Sequence, residues 1–221
     1  MLLDVTTDVV DQTATNPDAA RESVRALVGR DASTLSPAAL RSAAVESAAE
    51  NLADGFVAPL GAFAAGATLG LAVAPVAALP LGVAAAVWVK AVNTLDSMLG
   101  YRSKPVGEAS ARLDDAVMLV PARATAVCLA VASGSLVPLR RARPWARTPA
   151  SPNSGWPMAT AATALDVRLE KPGHYALNPD AEAPSVADAR DAVRLVGVAG
   201  GVAAAVTAGW LVALAGVIAW S

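Results

Sequence analysis

The stretch GFVAPLGAFAAGATLGLAVAPVAALPLGVAAAVWV, Gly55 to Val89, runs for 35 residues without a charge. About 20 apolar residues cross a bilayer as one helix, so this run exceeds one crossing and falls short of two full ones. Pro59, Pro75 and Pro80 punctuate it, and a chain that must reverse would do so between the last two. The stretch therefore predicts a tight helical hairpin in lipid. Working outward, residues 195–220 form a second uncharged run that ends in Trp220 and contains Trp210. It is long enough to span, with tryptophans suited to the membrane interface. Residues 116–139 are apolar again but carry Arg123, after which 16 uncharged residues remain before Arg140. That is short for a crossing and predicts a re-entrant or short apolar segment.

The composition agrees with a membrane protein. Hydrophobic residues are 55% of the 221 and charged residues 16%, and mean hydropathy is +0.47. The net charge of −2 offers no basic field for nucleic-acid phosphates, so nucleic acid is excluded as a partner. Cys128, the single cysteine, cannot form an internal disulfide, and no Cys and His cluster has zinc spacing. Asp4, Asp8, Asp11, Asp18 and Glu22 crowd the first thirty residues without an apolar core, unlike a secretory signal. Helix starts are announced by Asn16-Pro17 and by Ser36-Pro37, a capping side chain followed by a proline in the first turn. Strand signals are weak, because no alternating run of Val, Ile or aromatic residues occurs.

The expected architecture is thus all-α, a polytopic helical membrane protein with cytoplasmic-facing helices and Gly/Pro loops. One membrane-embedded domain would comprise soluble-facing helices at 16–54, the hairpin at 55–89, a motif loop at 90–115 and the short apolar segment at 116–139. A basic and motif loop at 140–194 and a transmembrane helix at 195–220 would complete it. Arg140, Arg141, Arg143 and Arg147 assign that loop to the cytoplasm by the positive-inside tendency.

Polar residues concentrate in five knots. ESAAENLADGF, Glu46 to Phe56, sets Glu46, Glu50 and Asp54 four apart on one helix face, where like charges repel unless a cation or basic partner lies against them. NTLDSMLGYR supplies Asn93, Asp96 and Arg102, and ARLDDAVMLVPAR supplies Arg112, Asp114, Asp115 and Arg123. SPNSGWP presents Ser151, Asn153 and Trp156, and LEKPGHY presents Lys171, His174 and Tyr175. Each has a plain alternative. The first acids could form a solvated face beside Arg41, Asp114 and Asp115 could pair with Arg112 at a helix start, and His174 could be an ordinary loop residue. Arg123 differs, because a guanidinium inside an apolar run must find a carboxylate or a phosphate. Two or three carboxylates can hold Mg²⁺ on nucleotide phosphates, and arginines bind phosphate bidentately. The set suits phosphate chemistry. No Walker loop, G-x-G-x-x-G or G-x-S-x-G elbow occurs.

Together with VGRD at Val28 to Asp31 and VRLEKPGHYALN at Val167 to Asn178, these blocks, in this order, resemble the adenosylcobinamide-phosphate synthase family of cobalamin biosynthesis proteins. The resemblance covers most of residues 28–178. It implies a multi-pass enzyme of the cell membrane that joins adenosylcobyric acid to aminopropanol, or its O-phosphate, through an amide bond at the expense of ATP with Mg²⁺. On that basis Glu46, Glu50 and Asp54 are expected to hold the metal, and Glu50, Asp96 and Asp115 to serve catalysis. Arg102, Arg112, Arg123, Asn93, Ser151, Asn153, Lys171 and His174 are expected to bind substrate or phosphate. The resemblance also adds a preceding N-terminal segment and other cobalamin-pathway membrane enzymes to the expected partners. Thr148 stands in a block where a histidine is common in the family. One aqueous site must collect all these motifs, so the acids, the motif loop and the SPN loop should share a side of the membrane. A small transporter with charges at mid-membrane depth, and a non-catalytic corrinoid-binding subunit, are the alternative readings.

Overall fold

A computed structural model describes residues 2–27, 32–100 and 105–219. Most of it is helix: α1 (Leu2–Thr15), α2 (Pro17–Val24), α3 (Pro37–Leu52), α4 (Ala58–Val73), α5 (Ala78–Leu99), α6 (Pro105–Val117), α7 (Leu119–Ala132), α8 (Val137–Ala142), α9 (Gly155–Leu165) and α10 (Val186–Ala219). The two capping signals hold. Asn16 accepts from the Ala19 amide at 3.2 Å and Ser36 from the Ala39 amide at 3.2 Å, each satisfying a donor left open at a helix start.

The uncharged run folds as the expected hairpin. α4 and α5 pack along their length, joined by one short turn of 3₁₀ helix at Pro75–Ala77. The close approach comes from glycine. A methyl group on Gly66 would strike the Leu81 carbonyl, and one on Gly70 would strike the Ala77 carbonyl and Ala78 Cα. Small residues four apart let two backbones meet where lipid supplies no hydrophobic drive. Leu69, Val73, Val76, Leu79 and Val87 point outward, each more than 60% exposed, a face that only lipid covers comfortably. Pro37–Val73, Pro75–Leu99 and Val186–Gly216 are long and apolar enough to cross a membrane. Gly107–Val117 and Leu119–Ala132, bent by 48°, would make a fourth span if taken as one. The bend falls where Pro121, in the first turn of α7, has no N–H for the Val117 carbonyl. The expected re-entrant or short apolar segment is therefore a broken helix.

Four features differ from the sequence reading. α1 was not anticipated; its Val9 and Val10 are fully buried among threonines and aspartates that dilute the apolar signal. α3 is enclosed by protein and not laid on its surface: Leu40, Ala43, Ala44, Val45, Ala48 and Ala49 are all fully buried. Its alanines and serines let α1, α9, α10 and a strand close in from several sides, the pattern of a helix that is apolar nearly all round. The end of the expected motif loop, from Val186 onward, is helical and continuous with the expected transmembrane helix as α10. Finally, β1 (Leu169–Lys171) and β2 (Tyr175–Leu177) form an antiparallel hairpin, with Leu169 opposite Leu177 and Lys171 opposite Tyr175. Three residues per strand are too few for alternation to register. Gly173 takes φ +75° in its turn, a conformation that glycine adopts without steric penalty.

Candidate functional site

Between α3 and α4 the helix does not break but widens into a π-turn at Ala53–Val57, where the Ala58 amide reaches back to the Ala53 carbonyl. Such turns re-aim side chains and recur at functional sites. The turn shifts the helical phase only at Asp54; Glu46 and Glu50 both precede it in α3 and part through their own contacts. Glu46 turns into the protein: its Oε1 accepts from Ser42 Oγ at 2.8 Å and its Oε2 from the Tyr175 hydroxyl at 2.7 Å. Glu50 and Asp54 open instead onto a cavity of about 270 Å³. Asn51 of α3, Asn93, Asp96 and Ser97 of α5, Asp114 of α6, and Ser151, Asn153 and Ser154 of the SPN loop complete its polar lining.

Four carboxylates thus line one small space, whose described lining contains no Lys, Arg or His. The Asn93 amide sits against both Asp54 and Asp114, and Lys90 Nζ donates to Asn93 Oδ1 at 3.1 Å from outside the lining. Asp114 Oδ1 is buried without a hydrogen-bond partner among the described residues. A buried carboxylate oxygen in that state favours an incoming cation. Glycine protects another acid: a methyl on Gly100 would collide with the Asp96 carboxylate.

A second cavity, about 400 Å³, adjoins the first and shares Glu50, Ser151 and Ser154 with it. Thr148, Lys171, His174 and Tyr175 supply the rest of its polar wall. Ser42 fastens the β-hairpin to α3 by accepting from the Glu170 amide at 2.8 Å, while Tyr175 fastens it through Glu46.

The structure brings Glu50, Asp54, Asn93, Asp96, Ser151, Asn153, Lys171 and His174 to these two chambers. Others take different positions. Among the described residues no three Asp, Glu, His or Cys side chains form a ready cation cage, so the expected ligand set Glu46, Glu50 and Asp54 is not assembled. The physical reason is the pair of hydrogen bonds that occupies Glu46. Asp115 lies behind the wall: its Oδ1 accepts from Ser151 Oγ at 3.2 Å and its carbonyl from Asn153 Nδ2 at 2.7 Å. Arg123, expected on a phosphate or a carboxylate, instead donates to Asn153 Oδ1 at 3.0 Å and to the Leu119 carbonyl at 2.6 Å, with its guanidinium 5.3 Å from the Trp156 ring centroid. Arg112 points to Glu108 one turn back, 2.7 Å away, and lines neither chamber. Arg102 lies outside the described residues.

Sequence reasoning left Ser97, Ser154 and Tyr175 without a role. Ser97 could have been found, since it sits four residues from Asn93 on one helix face. Tyr175 could not, because its partner Glu46 is 129 residues away.

Arg123 therefore clamps the SPN loop, and its removal has a definite expectation. Arg123→Ala leaves the Asn153 amide oxygen without its donor and uncovers Trp156, so unfolding of the solubilised protein should move to lower temperature by the equivalent of about 1–3 kcal/mol. Arg123→Lys should recover little, because an ammonium cannot stack flat on the indole and reach both acceptors. Thermal unfolding of the two variants beside the parent measures this; equal recovery by lysine would contradict the clamp.

The fold and site define a polytopic helical membrane protein with a polar, acid-lined site set between the ends of its apolar helices. The model of the CobD/Cbib protein family matches residues 1–218, and the chain belongs to that family. It is 45% identical over 168 residues to the cobalamin biosynthesis protein CobD of Dehalococcoides mccartyi, which covers 73% of this chain and 50% of that protein. The probable CobD of Methanothrix thermoacetophila is 40% identical over 185 residues, 81% of this chain and 55% of that protein. CobD of Mycobacterium tuberculosis is 43% identical over 195 residues, 80% and 57% of the two chains. The chain thus spans about half the length of the curated relatives it matches. No solved structure matches it.

Proposed function

We propose that this chain carries the ligation site of cobalamin biosynthesis at which the carboxylate of adenosylcobyric acid is joined to aminopropanol, or its O-phosphate, in an ATP-dependent amide synthesis. One observation carries the reading: ESAAENLADGF, NTLDSML, ARLDD and SPNSGWP, far apart in the chain, contribute polar side chains to the same pair of chambers. The names of the relatives supply the pathway.

A carboxylate does not accept an amine directly at neutral pH, because oxide is too poor a leaving group. ATP removes the obstacle: the carboxylate oxygen attacks the γ-phosphorus, ADP departs, and an acyl phosphate results. The amine nitrogen then attacks the acyl carbon, the carbon–oxygen bond breaks, and inorganic phosphate leaves. The amine arrives as an ammonium and must lose a proton first. Glu50, common to both chambers, is suited to accept it, and the acid-lined chamber suits a cation waiting there. Asp96 adds to that negative lining. Asp115 acts at one remove, by holding Ser151 and Asn153. Mg²⁺ keeps several waters and is usually bound through one or two carboxylates plus substrate phosphates. Asp54 and Asp114, which share Asn93, fit that demand, and the ion would neutralise phosphate charge. The arginine cluster Arg140 to Arg147 leads directly into Thr148 and the SPN loop, which supports chambers facing the cytoplasm of the cell membrane.

The test is conversion of adenosylcobyric acid and aminopropanol phosphate by membranes containing the chain, followed by mass spectrometry. The expected result is an amide product that requires ATP. Absence of product from well-inserted protein, also when the upstream half of a relative is supplied in trans, would overturn the reading.

A further inference from the structure

The two chambers differ in charge, and the difference suggests a division of labour. The first presents Glu50, Asp54, Asp96 and Asp114 with no basic side chain in its described lining. The second presents Lys171 and His174 against a single acid, the shared Glu50. Of its remaining hydroxyls, Thr148 donates to the Trp145 carbonyl, Ser151 to Asp115 and Tyr175 to Glu46, while Ser154 lines the same wall. Ser154 also stands at the start of α9, an 11-residue helix, without a side-chain capping bond, and the amino end of such a helix carries a partial positive charge favourable to anions. A lysine, a histidine and a helix start therefore converge on one space of about 400 Å³.

We propose that the second chamber is the oxyanion subsite of the ligation site, holding a phosphate or carboxylate group on Lys171 and His174 while the first chamber holds the cationic end. The inference rests on the function proposed above and divides that site into two. Glu50 stands at the boundary, in reach of the nitrogen from one side and of the anion's neighbour from the other. The β-hairpin that carries both basic residues is not loosely attached. Ser42 and Glu46, both on α3 and within two turns of Glu50, hold it by hydrogen bonds to the Glu170 amide and the Tyr175 hydroxyl. Glu46 is thus a positioning residue. Its two bonds fix the distance between the anion subsite and Glu50.

The oxyanion could be the phosphate of the amine substrate, a phosphate of ATP, or the corrinoid carboxylate. These share one chemistry, and displacement tells them apart. Binding of inorganic phosphate to the solubilised full chain, read by ³¹P NMR, should weaken at least tenfold in Lys171→Ala and in His174→Gln. It should recover in Lys171→Arg and should not weaken in Arg112→Ala, whose side chain lines neither chamber. Tyr175→Phe should weaken it about threefold by loosening the hairpin. Displacement of bound phosphate by aminopropanol phosphate and not by aminopropanol would assign the amine's phosphate; displacement by ATP or by adenosylcobyric acid would assign those groups. Equal phosphate affinity in parent, Lys171→Ala and His174→Gln would overturn the proposal, as would failure of all three compounds to displace. Because the readout needs no turnover, a parent that binds phosphate in this way but makes no amide leaves the subsite standing and counts against the ligation alone.

Discussion

Glu50→Gln should reduce amide formation by at least a hundredfold while leaving the protein folded and inserted. Glutamine keeps the shape and the hydrogen-bonding oxygen but cannot take a proton, and a well-positioned general base is worth about 10²–10⁴ in rate. The location of Glu50 sharpens the expectation, since among the described residues it is the only acid that lines both chambers. Steady-state rates at saturating substrate, measured beside the parent on equal amounts of inserted protein, give the answer. Activity within fivefold of the parent would remove Glu50 from proton transfer and leave it a lining residue. Glu46→Gln should behave differently. It retains a partner for the Tyr175 hydroxyl and should alter substrate affinity more than the maximal rate.

The second large effect concerns the hairpin. Gly66→Val and Gly70→Val should each separate α4 from α5, because the added carbons would occupy the positions of the Leu81 and Ala77 carbonyls. Backbone atoms cannot turn aside as a side chain can. Overpacking in a close-packed contact destabilises by about 1–3 kcal/mol, and here the backbone itself must move. Each variant should therefore lose most of its folded yield in detergent, and activity with it, since Asp96 is carried at the far end of α5. Gly61→Ala is the matching control. A methyl there meets nothing within 4 Å, and replacing a helical glycine by alanine gains up to about 1 kcal/mol. Thermal unfolding of all three, with cysteine cross-linking across the hairpin, tests the contrast. A stable, cross-linkable Gly66→Val protein would contradict the packing.

Charge was the feature of the sequence that reported the fold most directly. Its absence from Gly55 to Val89 marked the hairpin, and the prolines near 75 marked the reversal that the structure has. Ser36-Pro37 announced α3 because a cap and a proline act locally. The segments that escaped notice depend on distant partners. α1 hides its buried valines among polar residues, and the β-hairpin owes its existence to Leu169 and Leu177 packing into the core. The π-turn at Ala53–Val57 has no signature in residue type, and the bond that helps keep Glu46 out of the chamber comes from the distant Tyr175. The same lesson holds for the site. Residue chemistry singled out Arg123 as occupied, but a guanidinium can be satisfied by an amide oxygen, a carbonyl and an indole face as well as by an anion. Which of these it meets is set 30 residues away, at Asn153.

The uninterrupted path from Pro37 to Val73 has a mechanical meaning. At 37 residues and 1.5 Å per residue it is a rod about 55 Å long, against a hydrocarbon layer about 30 Å thick. Nearly half of it must therefore stand clear of the lipid. The uncharged part begins at Gly55, so the bilayer acts as a collar around the lower shaft and the acids ride just above it, like fittings on a post. Lipid thickness would then set the height at which Glu50 and Asp54 meet water, without touching either residue.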